Sequence, residues 1–568
     1  MPKVLVLGGG IAGLSTAMEL IDDHDVTVVE RRNIAGGKAR TWTDAEFDVF
    51  REHSFRVFHE SYHNTWDTTS RVPAGEGRSV RDNFVRFVSR ADLDATGENL
   101  FRRWLGAAVG SDPDAATIPN AEKAAMFGDL WRVLKALCSS DARLRDKYAH
   151  ATFADLFATR PDGTKGLAYQ ALKDMSQVEY SADRVQPDVK IMLNFIEKHF
   201  MHGRPGIAWN ALNAPTSQAF IEPWREHLAG RGVEFRLESM VTGFDLELAS
   251  NTVAGVSVSD TRSGQTQTLE ADYYVSALPS NDLLDIATKE LLIAAPSIAR
   301  LGEVRRVWNN GVMVYTSKKT RFLGGFYMWH PWRVAVTTYA DRWGDRVDIE
   351  GYGVGDVRGK IRDVISYVIT DWHESGIRVP KKASECTPDE IYDELCYMSL
   401  EDPTLMPEFD PADHVRPVDR EGNSVSCLVD ASLVYDPEGK RIVVNEDTLM
   451  HLPPGGSFRM PGAQTEIANL MLASTHCFNS FACGDNMESA NETGRRAANA
   501  ILAAEGSRRR VPILEGRTAS RPVKVLQALR KLDAAVYRPK PTNTFEAPSV
   551  SSITTGHDNE AGPERRSS

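Results

Sequence analysis

The sequence has few of the features that mark metal centres, disulfide scaffolds or membrane proteins. Its six cysteines form no Cys-x-x-Cys pair, which argues against a zinc site or a disulfide framework and fits a reducing compartment. No run of eighteen apolar residues occurs and no secretory leader precedes the first strand, so we expect a cytoplasmic protein without a membrane span. The net charge of -12, with no basic cluster among aromatics outside the tail, disfavours nucleic-acid binding.

The most informative segment is the first forty residues. An apolar strand at 4–7 runs into Gly8-Gly9-Gly10-Ile11-Ala12-Gly13, a helix is expected from about Ala12 to Ile21, and a second apolar strand ends at Glu30. A strand, a Gly-x-Gly-x-x-Gly turn, a helix and an acid about twenty residues further on are typical of a dinucleotide site. This segment therefore predicts a βαβ dinucleotide-binding unit.

Each glycine and the acid of this unit have a physical task. Gly8 permits the tight turn, Gly10 leaves room for a pyrophosphate at the positive helix N-terminus, and Gly13 lets helix and strand pack closely. Glu30 is expected to bind ribose hydroxyls. A second glycine pair, Gly36-Gly37-Lys38, could bring backbone and a cation onto a flavin and its phosphates, so we predict FAD rather than a nicotinamide cofactor.

Several segments resemble the flavin amine oxidase superfamily. They are Gly36-Gly37-Lys38, residues 238–241, residues 271–279, residues 481–485, residues 487–490 and residues 494–499. Within that superfamily the chain is most similar to the desaturase branch, which includes phytoene and ζ-carotene desaturases and hydroxysqualene dehydroxylases. That similarity is carried by residues 52–58 with Tyr62, by Pro215-Thr216-Ser217 with Pro223-Trp224, and by Ala490-Asn491-Glu492.

The resemblance implies a set of residues that contact FAD. They are Gly8, Gly10, Ile11, Ala12, Gly13, Glu30, Arg31, Gly36, Gly37, Lys38, Phe55, Arg56, Tyr62, Val241, Ala277, Gly484, Asp485 and Met487. The chain departs from the desaturase pattern His-x-Phe-Phe-Gly, because Arg56, His59 and Glu60 occupy its first, fourth and fifth positions. Arg56 is the candidate catalytic residue, steadying charge on a reduced flavin or holding a polar substrate group; a surface arginine is the alternative.

The resemblance further implies an FAD-dependent oxidoreductase, a desaturase or dehydrogenase that abstracts hydride from carbon without an obligatory side-chain base. The implied substrate is lipophilic and isoprenoid-like, such as a carotenoid or squalene derivative. An amine or amino-acid oxidase is the alternative enzyme. A non-enzymatic binding protein of the GDI type is disfavoured by the intact Gly36-Gly37-Lys38 loop and Gly484-Asp485 turn.

Two further groups of side chains have both functional and structural interpretations. His53, His59 and His63 match no metal-ligand spacing and are expected to be mostly packing or surface residues. A group of aromatics is expected either to line an apolar substrate cavity or to form a plain core. These are Trp308, Phe322, Phe326, Tyr327, Trp329, Trp332, Tyr339 and Trp343.

The expected fold class is α/β, with a Rossmann-type FAD-binding domain of amine oxidase/GDI type, a second mixed-sheet substrate domain and a helical insertion. We assign residues 1–85, 205–300 and 440–505 to the FAD-binding domain, and 86–204 and 301–439 to the substrate domain with its insertion. Residues 506–568 form a tail, with an amphipathic helix at Arg521 to Arg538 and a disordered end from 539. That helix is expected either to dock on the protein or to make peripheral contact with an anionic membrane.

Overall fold

The computed structural model describes residues 1–87, 119–160, 162–166, 169, 172–173, 188–198, 209–322, 327–328, 330–401, 403, 406–481, 484–515 and 521–538. The strands are β1 Lys3–Leu7, β2 Asp25–Val29, β3 Thr41–Thr43, β4 Phe50–Glu52, β5 Phe58–His59, β6 Phe84–Phe87, β7 Trp209–Leu212, β8 Glu234–Arg236, β9 Ser239–Glu247, β10 Thr252–Asp260, β11 Thr266–Leu269, β12 Tyr273–Ser276, β13 Arg305–Val307, β14 Asn310–Thr316, β15 Tyr327–Met328, β16 Val334–Thr338, β17 Asp363–Ile369, β18 His414–Val415, β19 Leu428–Val429, β20 Leu433–Tyr435, β21 Ile442–Asn445, β22 Leu449–His451 and β23 Leu470–Leu472. The α-helices are α1 Ile11–Leu20, α2 His63–Arg71, α3 Asn120–Leu137, α4 Asp141–Tyr148, α5 Val189–Ile196, α6 Glu222–Gly230, α7 Ser280–Asp285, α8 Lys289–Ala294, α9 Pro296–Ala299, α10 Ala340–Trp343, α11 Pro388–Glu401, α12 Met487–Ala504 and α13 Arg521–Val536.

Five parallel strands form the first sheet, in the order β23-β12-β1-β2-β8. Val4 and Val6 of the central strand β1 pack into the core beneath α1 and α12, whereas Leu5 and Leu7 pack into the core on the other face. A strand covered on both faces must be apolar at every position, which explains the continuous apolar run. The Rossmann-type sheet predicted from the sequence is confirmed.

The second sheet has six strands, with the order β15-β16-β17-β14-β18 and with β19 also pairing with β14. All of its described pairings are antiparallel, whereas the sequence predicts a mixed sheet for this domain. Parallel neighbours need a crossover of a dozen or more residues, so the short connection from β15 to β16 permits only an antiparallel pair. This sheet faces the first one across the cavity described below.

The described residues between 119 and 198 are largely helical, as the sequence predicts for the insertion. Apolar residues at helical spacing predict helices within 117–138, 152–159 and 185–200. Helices α3 and α5 lie within the first and third of these segments. The second segment forms only a 3₁₀ turn, Phe153–Leu156, because the Asp155 carboxylate turns back to accept from the Thr152 N–H and hydroxyl. Ser217–Ile221 forms a π-helical segment that continues into α6.

The C-terminal helix α13 docks on the protein through one face. Val523 and Leu526 are buried, and Asp533 accepts hydrogen bonds from the Ser140 N–H and hydroxyl and from Arg143 Nε. Within the described ranges, no helix is both long enough and apolar enough to cross a bilayer. The tail that the sequence predicts to be disordered, 539–568, lies outside the described residues.

Candidate active site

Two glycine loops meet at the N-terminus of α1. A Cβ on Gly13 would lie 2.0 Å from the Gly8 carbonyl oxygen, so only glycine lets helix and loop approach this closely. A Cβ on Gly10 would meet only the Gly37 Cα, at 3.8 Å, which leaves open space beside the helix end. The Gly8 turn itself has a φ of 111°, in the region that favours glycine. The glycines therefore separate into those that pack and those that leave room.

A cavity of about 610 Å³ opens from these loops and runs between the two sheets. The predicted cofactor residues in its wall are Gly8, Gly10, Ile11, Ala12, Glu30, Arg31, Gly36, Gly37, Lys38, Phe55, Arg56, Tyr62, Val241, Ala277, Asp485 and Met487. Gly13 and Gly484 lie outside the wall: Gly13, in the first turn of α1, packs against the Gly8 carbonyl, and the Gly484 carbonyl accepts from Asn486 Nδ2 at 3.0 Å. The structure thus brings residues from both ends of the chain to one cavity.

Glu30 directly follows β2 at the edge of this cavity. Its Oε2 accepts from the Gly9 N–H at 2.9 Å and its Oε1 from the Arg32 N–H at 3.0 Å. These bonds fix the carboxylate with lone pairs left to accept from hydroxyl groups. The arrangement suits the ribose of a dinucleotide, as predicted from the motif.

Lys38 and Asp485 form an ion pair in the cavity wall. Lys38 Nζ donates to Asp485 Oδ2 at 2.9 Å and to the Thr448 carbonyl at 2.8 Å. Burial would raise the pKa of Asp485, but the Lys38 ammonium and the Thr475 hydroxyl hold it below its usual range. Burial lowers the pKa of the neighbouring His476 to about 4, so that its ring is neutral at physiological pH.

Sequence reasoning missed Asp447, which gathers three arginines at the cavity. Arg31, Arg32 and Arg40 each donate to its carboxylate, at 3.3, 2.8 and 3.0 Å. Burial would raise the pKa of Asp447, but the three guanidinium groups hold it well below the usual range. More than 400 residues separate Asp447 from these arginines. No local pattern in the sequence could have paired them.

Arg56 lies in the wall, with its guanidinium turned onto backbone carbonyls. It donates to the carbonyls of Lys38 and Ser54 and to the Ser54 hydroxyl. Behind it, burial raises the pKa of Glu52, which accepts from the Tyr339 hydroxyl and from Ser366 Oγ. Arg56 therefore ties the Gly-Gly-Lys loop to the segment after β4 and is not a surface arginine.

The three clustered histidines have separate environments. His53 is a buried residue of the cavity wall, and its Nδ1 lies 2.5 Å from Asp430 Oδ2. His59 Nδ1 contacts Ser61 Oγ at 2.8 Å, and His63 begins α2. Among the described residues, no group of three or more histidine, cysteine or acidic side chains could hold a metal ion. His53 is thus buried in the wall and paired with the distant Asp430, and the expectation of mostly packing or surface roles stays a prediction.

The apolar end of the cavity is built from three aliphatic and two aromatic side chains. Phe55, Val57, Trp209, Ala335 and Val368 line it, the last two from the second sheet. The aromatics Trp332, Tyr339 and Trp343 instead pack in the cores of that sheet. Phe326 and Trp329 lie outside the described residues. The plain-core interpretation therefore holds for those three, and the sheet reaches the cavity through Ala335 and Val368.

The residues present fit FAD. Open space beside Gly10 faces backbone N–H groups at a helix N-terminus, which attract a pyrophosphate. Glu30 can accept from ribose hydroxyls, and Lys38 supplies a cation. An apolar chamber adjoins these polar groups, as a flavin site for an apolar substrate requires.

Comparison with known proteins agrees with this geometry. A family model of flavin containing amine oxidoreductases matches residues 11–312. Zeta-carotene desaturase of Synechocystis sp. is 24% identical over 309 residues, which are 48% of this chain and 57% of that protein. The zeta-carotene desaturase of Arabidopsis thaliana is 26% identical over 314 residues, 51% of this chain and 52% of that protein.

A third relative aligns over almost its whole length. The probable zeta-carotene desaturase of Synechococcus elongatus is 23% identical over 515 residues, 89% of this chain and 99% of that protein. The chain spans about half the length of the first two relatives that it matches.

Proposed function

Because the chain belongs to the family of flavin containing amine oxidoreductases and is an FAD-dependent oxidoreductase, we propose that it abstracts hydride from a carbon centre of a lipophilic, isoprenoid-like substrate. A carotenoid or squalene derivative is the substrate class. The observation that carries the proposal is the continuity of the cavity, which joins the two glycine loops to an apolar chamber. Such a chamber desolvates a hydrocarbon and excludes water from the reaction.

In this proposal FAD supplies the two-electron acceptor, and the protein binds and orients. Gly10 and Gly37 would hold the pyrophosphate, Glu30 the ribose, and Lys38 with Asp485 the polar side of the flavin. Arg56 positions the Gly-Gly-Lys loop and adds positive charge to the cavity wall. Phe55, Val57, Trp209, Ala335 and Val368 would hold the substrate, because their apolar surfaces offer no competing hydrogen bonds.

The test is anaerobic reduction of the purified yellow protein. Mixing with vesicles that contain ζ-carotene should bleach the flavin band, whereas benzylamine and phenylalanine should not. Reduction by either amine instead would favour the amine or amino-acid oxidase, and a protein that binds no flavin would refute both enzymes and favour a GDI-like binding role. Ala335→Phe, which fills the apolar chamber, should keep FAD and its reduction by dithionite but lose reduction by ζ-carotene.

We also propose that the protein takes its substrate from a membrane surface. A second face of α13, beside its docked side, carries Val525, Leu529, Leu532 and Val536, each at least 40% exposed. Phe127 and Trp131 of α3 are exposed as well. Cys138 follows Trp131 by seven residues and therefore lies on the same side of the helix, and it interacts electrostatically with Arg530 of α13. The exposed cations of α13, Arg521, Lys524 and Lys531, suit anionic lipid although the whole chain is acidic.

Vesicle flotation tests this surface. Wild-type protein should float with phosphatidylglycerol vesicles more than with phosphatidylcholine vesicles, and Leu529→Asp/Leu532→Asp should remain at the bottom of the gradient. Gln527→Asp/Ala534→Asp adds the same two charges at exposed positions outside the apolar stripe and should still float. Equal flotation of the two double variants would refute the membrane contact.

A further inference from the structure

The cavity wall holds a histidine–carboxylate pair to which the expected mechanism assigns no task. His53 Nδ1 lies 2.5 Å from Asp430 Oδ2, and both side chains are almost wholly buried. The other ring nitrogen, Nε2, is also buried and has no hydrogen-bond partner among the described residues. A buried polar atom without a partner costs free energy, so its presence in a cavity wall points to a group that binds there.

Asp430 is fixed so that it can only accept. Its Oδ2 receives hydrogen bonds from Asn310 Nδ2 at 2.8 Å and from Ser432 Oγ at 2.9 Å, and its Oδ1 receives one from the Ser432 N–H at 3.1 Å. Burial would raise the pKa of Asp430, but His53 and these donors hold it below the usual range. An ionised carboxylate at Nδ1 keeps the proton on that nitrogen. In the neutral ring, Nε2 is then the basic atom.

Both acidic and basic side chains surround the His53–Asp430 pair. Asp430 faces His53 directly from the turn after β19, and Asp447, which follows β21, interacts with it at longer range. The cations Arg56 and Arg40 interact with these carboxylates. The carbonyl of His53 itself accepts from the Gly311 N–H at 2.6 Å, which anchors the backbone of the residue to β14. The residue is therefore fixed through ring atom Nδ1 and through its backbone, which positions Nε2 as a proton acceptor.

We propose that His53, positioned by Asp430, is the base that receives the proton released when the substrate is oxidised. This inference rests on the proposed function. Desaturation breaks two C–H bonds: one leaves with its electron pair as hydride to the flavin, and the other gives up its proton to His53 Nε2. The electron pair left on the second carbon forms the new C=C bond, and the proton later passes to water. The role differs from the expectation that no side-chain base is needed.

Kinetics of flavin reduction by ζ-carotene provide the first test. In wild-type protein the rate should fall as the pH drops and the ring becomes protonated. His53→Gln and Asp430→Asn, both nearly isosteric, should retain FAD but reduce the flavin about 10²- to 10⁴-fold more slowly, with the acid limb of the pH profile lost. Unchanged rates and pH profiles in both variants would refute the proposal.

A matched control is available in the second sheet. His330 Nε2 lies 2.6 Å from Glu394 Oε1, so it is also a buried histidine–carboxylate pair, but it is not in the cavity wall. His330→Gln should leave the pH profile of flavin reduction unchanged. A profile altered equally by His330→Gln and His53→Gln would show that the effect is structural and would contradict the assignment.

A second readout needs no substrate and separates this inference from the proposed function. Long-range ¹H–¹⁵N correlation of the FAD-loaded protein labelled at histidine nitrogens reports which ring nitrogen carries the proton, and His53→Gln assigns the signal. At about pH 8 the proposal requires a proton on Nδ1 and none on Nε2, with the order reversed in Asp430→Asn. A protonated Nε2 in wild-type protein would overturn it. Failure of ζ-carotene to reduce wild-type protein would instead refute the proposed function, whatever the tautomer.

Discussion

Gly10→Ala should weaken FAD binding and Gly13→Ala should destabilise the fold, although both residues belong to one motif. Gly10 has φ of -77°, which alanine adopts freely, and the added methyl would meet only Gly37 Cα at 3.8 Å. Gly10→Ala should thus fold as well as wild-type protein, or better by about 0.4–1 kcal/mol. The methyl takes the space of the pyrophosphate, and losing one hydrogen bond to a charged group, about 1.5–3 kcal/mol, weakens FAD binding roughly 10- to 150-fold. The larger Gly10→Val should purify colourless.

Gly13→Ala should instead destabilise the folded protein. Its methyl would lie 2.0 Å from the Gly8 carbonyl oxygen, whereas real contacts of this kind are essentially never under 3.0 Å, so helix and loop must separate. Overpacking of this kind costs about 1–3 kcal/mol or more. Urea unfolding of the apoproteins, followed by circular dichroism, and FAD titration of each variant measure the two effects. A Gly13→Ala protein as stable as wild type, or a Gly10→Ala protein that binds FAD normally, would refute the division into packing and ligand-facing glycines.

Three further substitutions test individual contacts of the protein. The folded-state pKa of Asp447 is depressed, so the stabilisation that its carboxylate gives the folded protein is present above about pH 4 and is lost as the pH falls. Asp447→Asn should therefore lower the free energy of unfolding in urea near neutral pH, and the difference in free energy between variant and wild type should become smaller in acid. Glu488→Ala removes the acceptor of four hydrogen bonds from Asn64 and Thr65 at the start of α2 and should lower the free energy of unfolding in urea by about 2–4 kcal/mol. An unchanged free energy of unfolding would contradict this prediction. Arg56→Ala should keep FAD but slow flavin reduction by about 10²- to 10³-fold in anaerobic stopped flow. A wild-type rate in this variant would show that Arg56 has no role in the reaction.

The βαβ unit was predictable because its determinants are local. Gly8, Gly10, Gly13 and Glu30 lie within one short stretch, and their spacing alone specifies the turn, the helix start and the strand end. The six-stranded sheet was predictable only in outline. The alternation at 304–339 indicates strands, but the direction of each neighbour depends on connections that alternation does not report.

The rest of the site depends on contacts between distant segments. Asp430 and Asp447 look like ordinary loop acids in the sequence, and only folding places them against His53 and the three arginines. Residue type also misleads: aromatic side chains suggest a substrate chamber, yet Trp332 and Trp343 fill cores while Ala335 lines the cavity. In α13 the apolar residues Leu526 and Leu529 are chemically equivalent, and only the docked position of the helix buries the first and exposes the second.

The ion pair between Lys38 and Asp485 has a consequence for how the protein is made. The two residues are 447 positions apart. At about 5–20 residues per second, a ribosome needs roughly 20–90 s to travel from one to the other. Throughout that interval the glycine loops have emerged without the strand and helix that close the site, so the nascent chain cannot yet retain the cofactor. Translation that stops before β23 and α12 would therefore release a protein with an intact glycine motif and no colour.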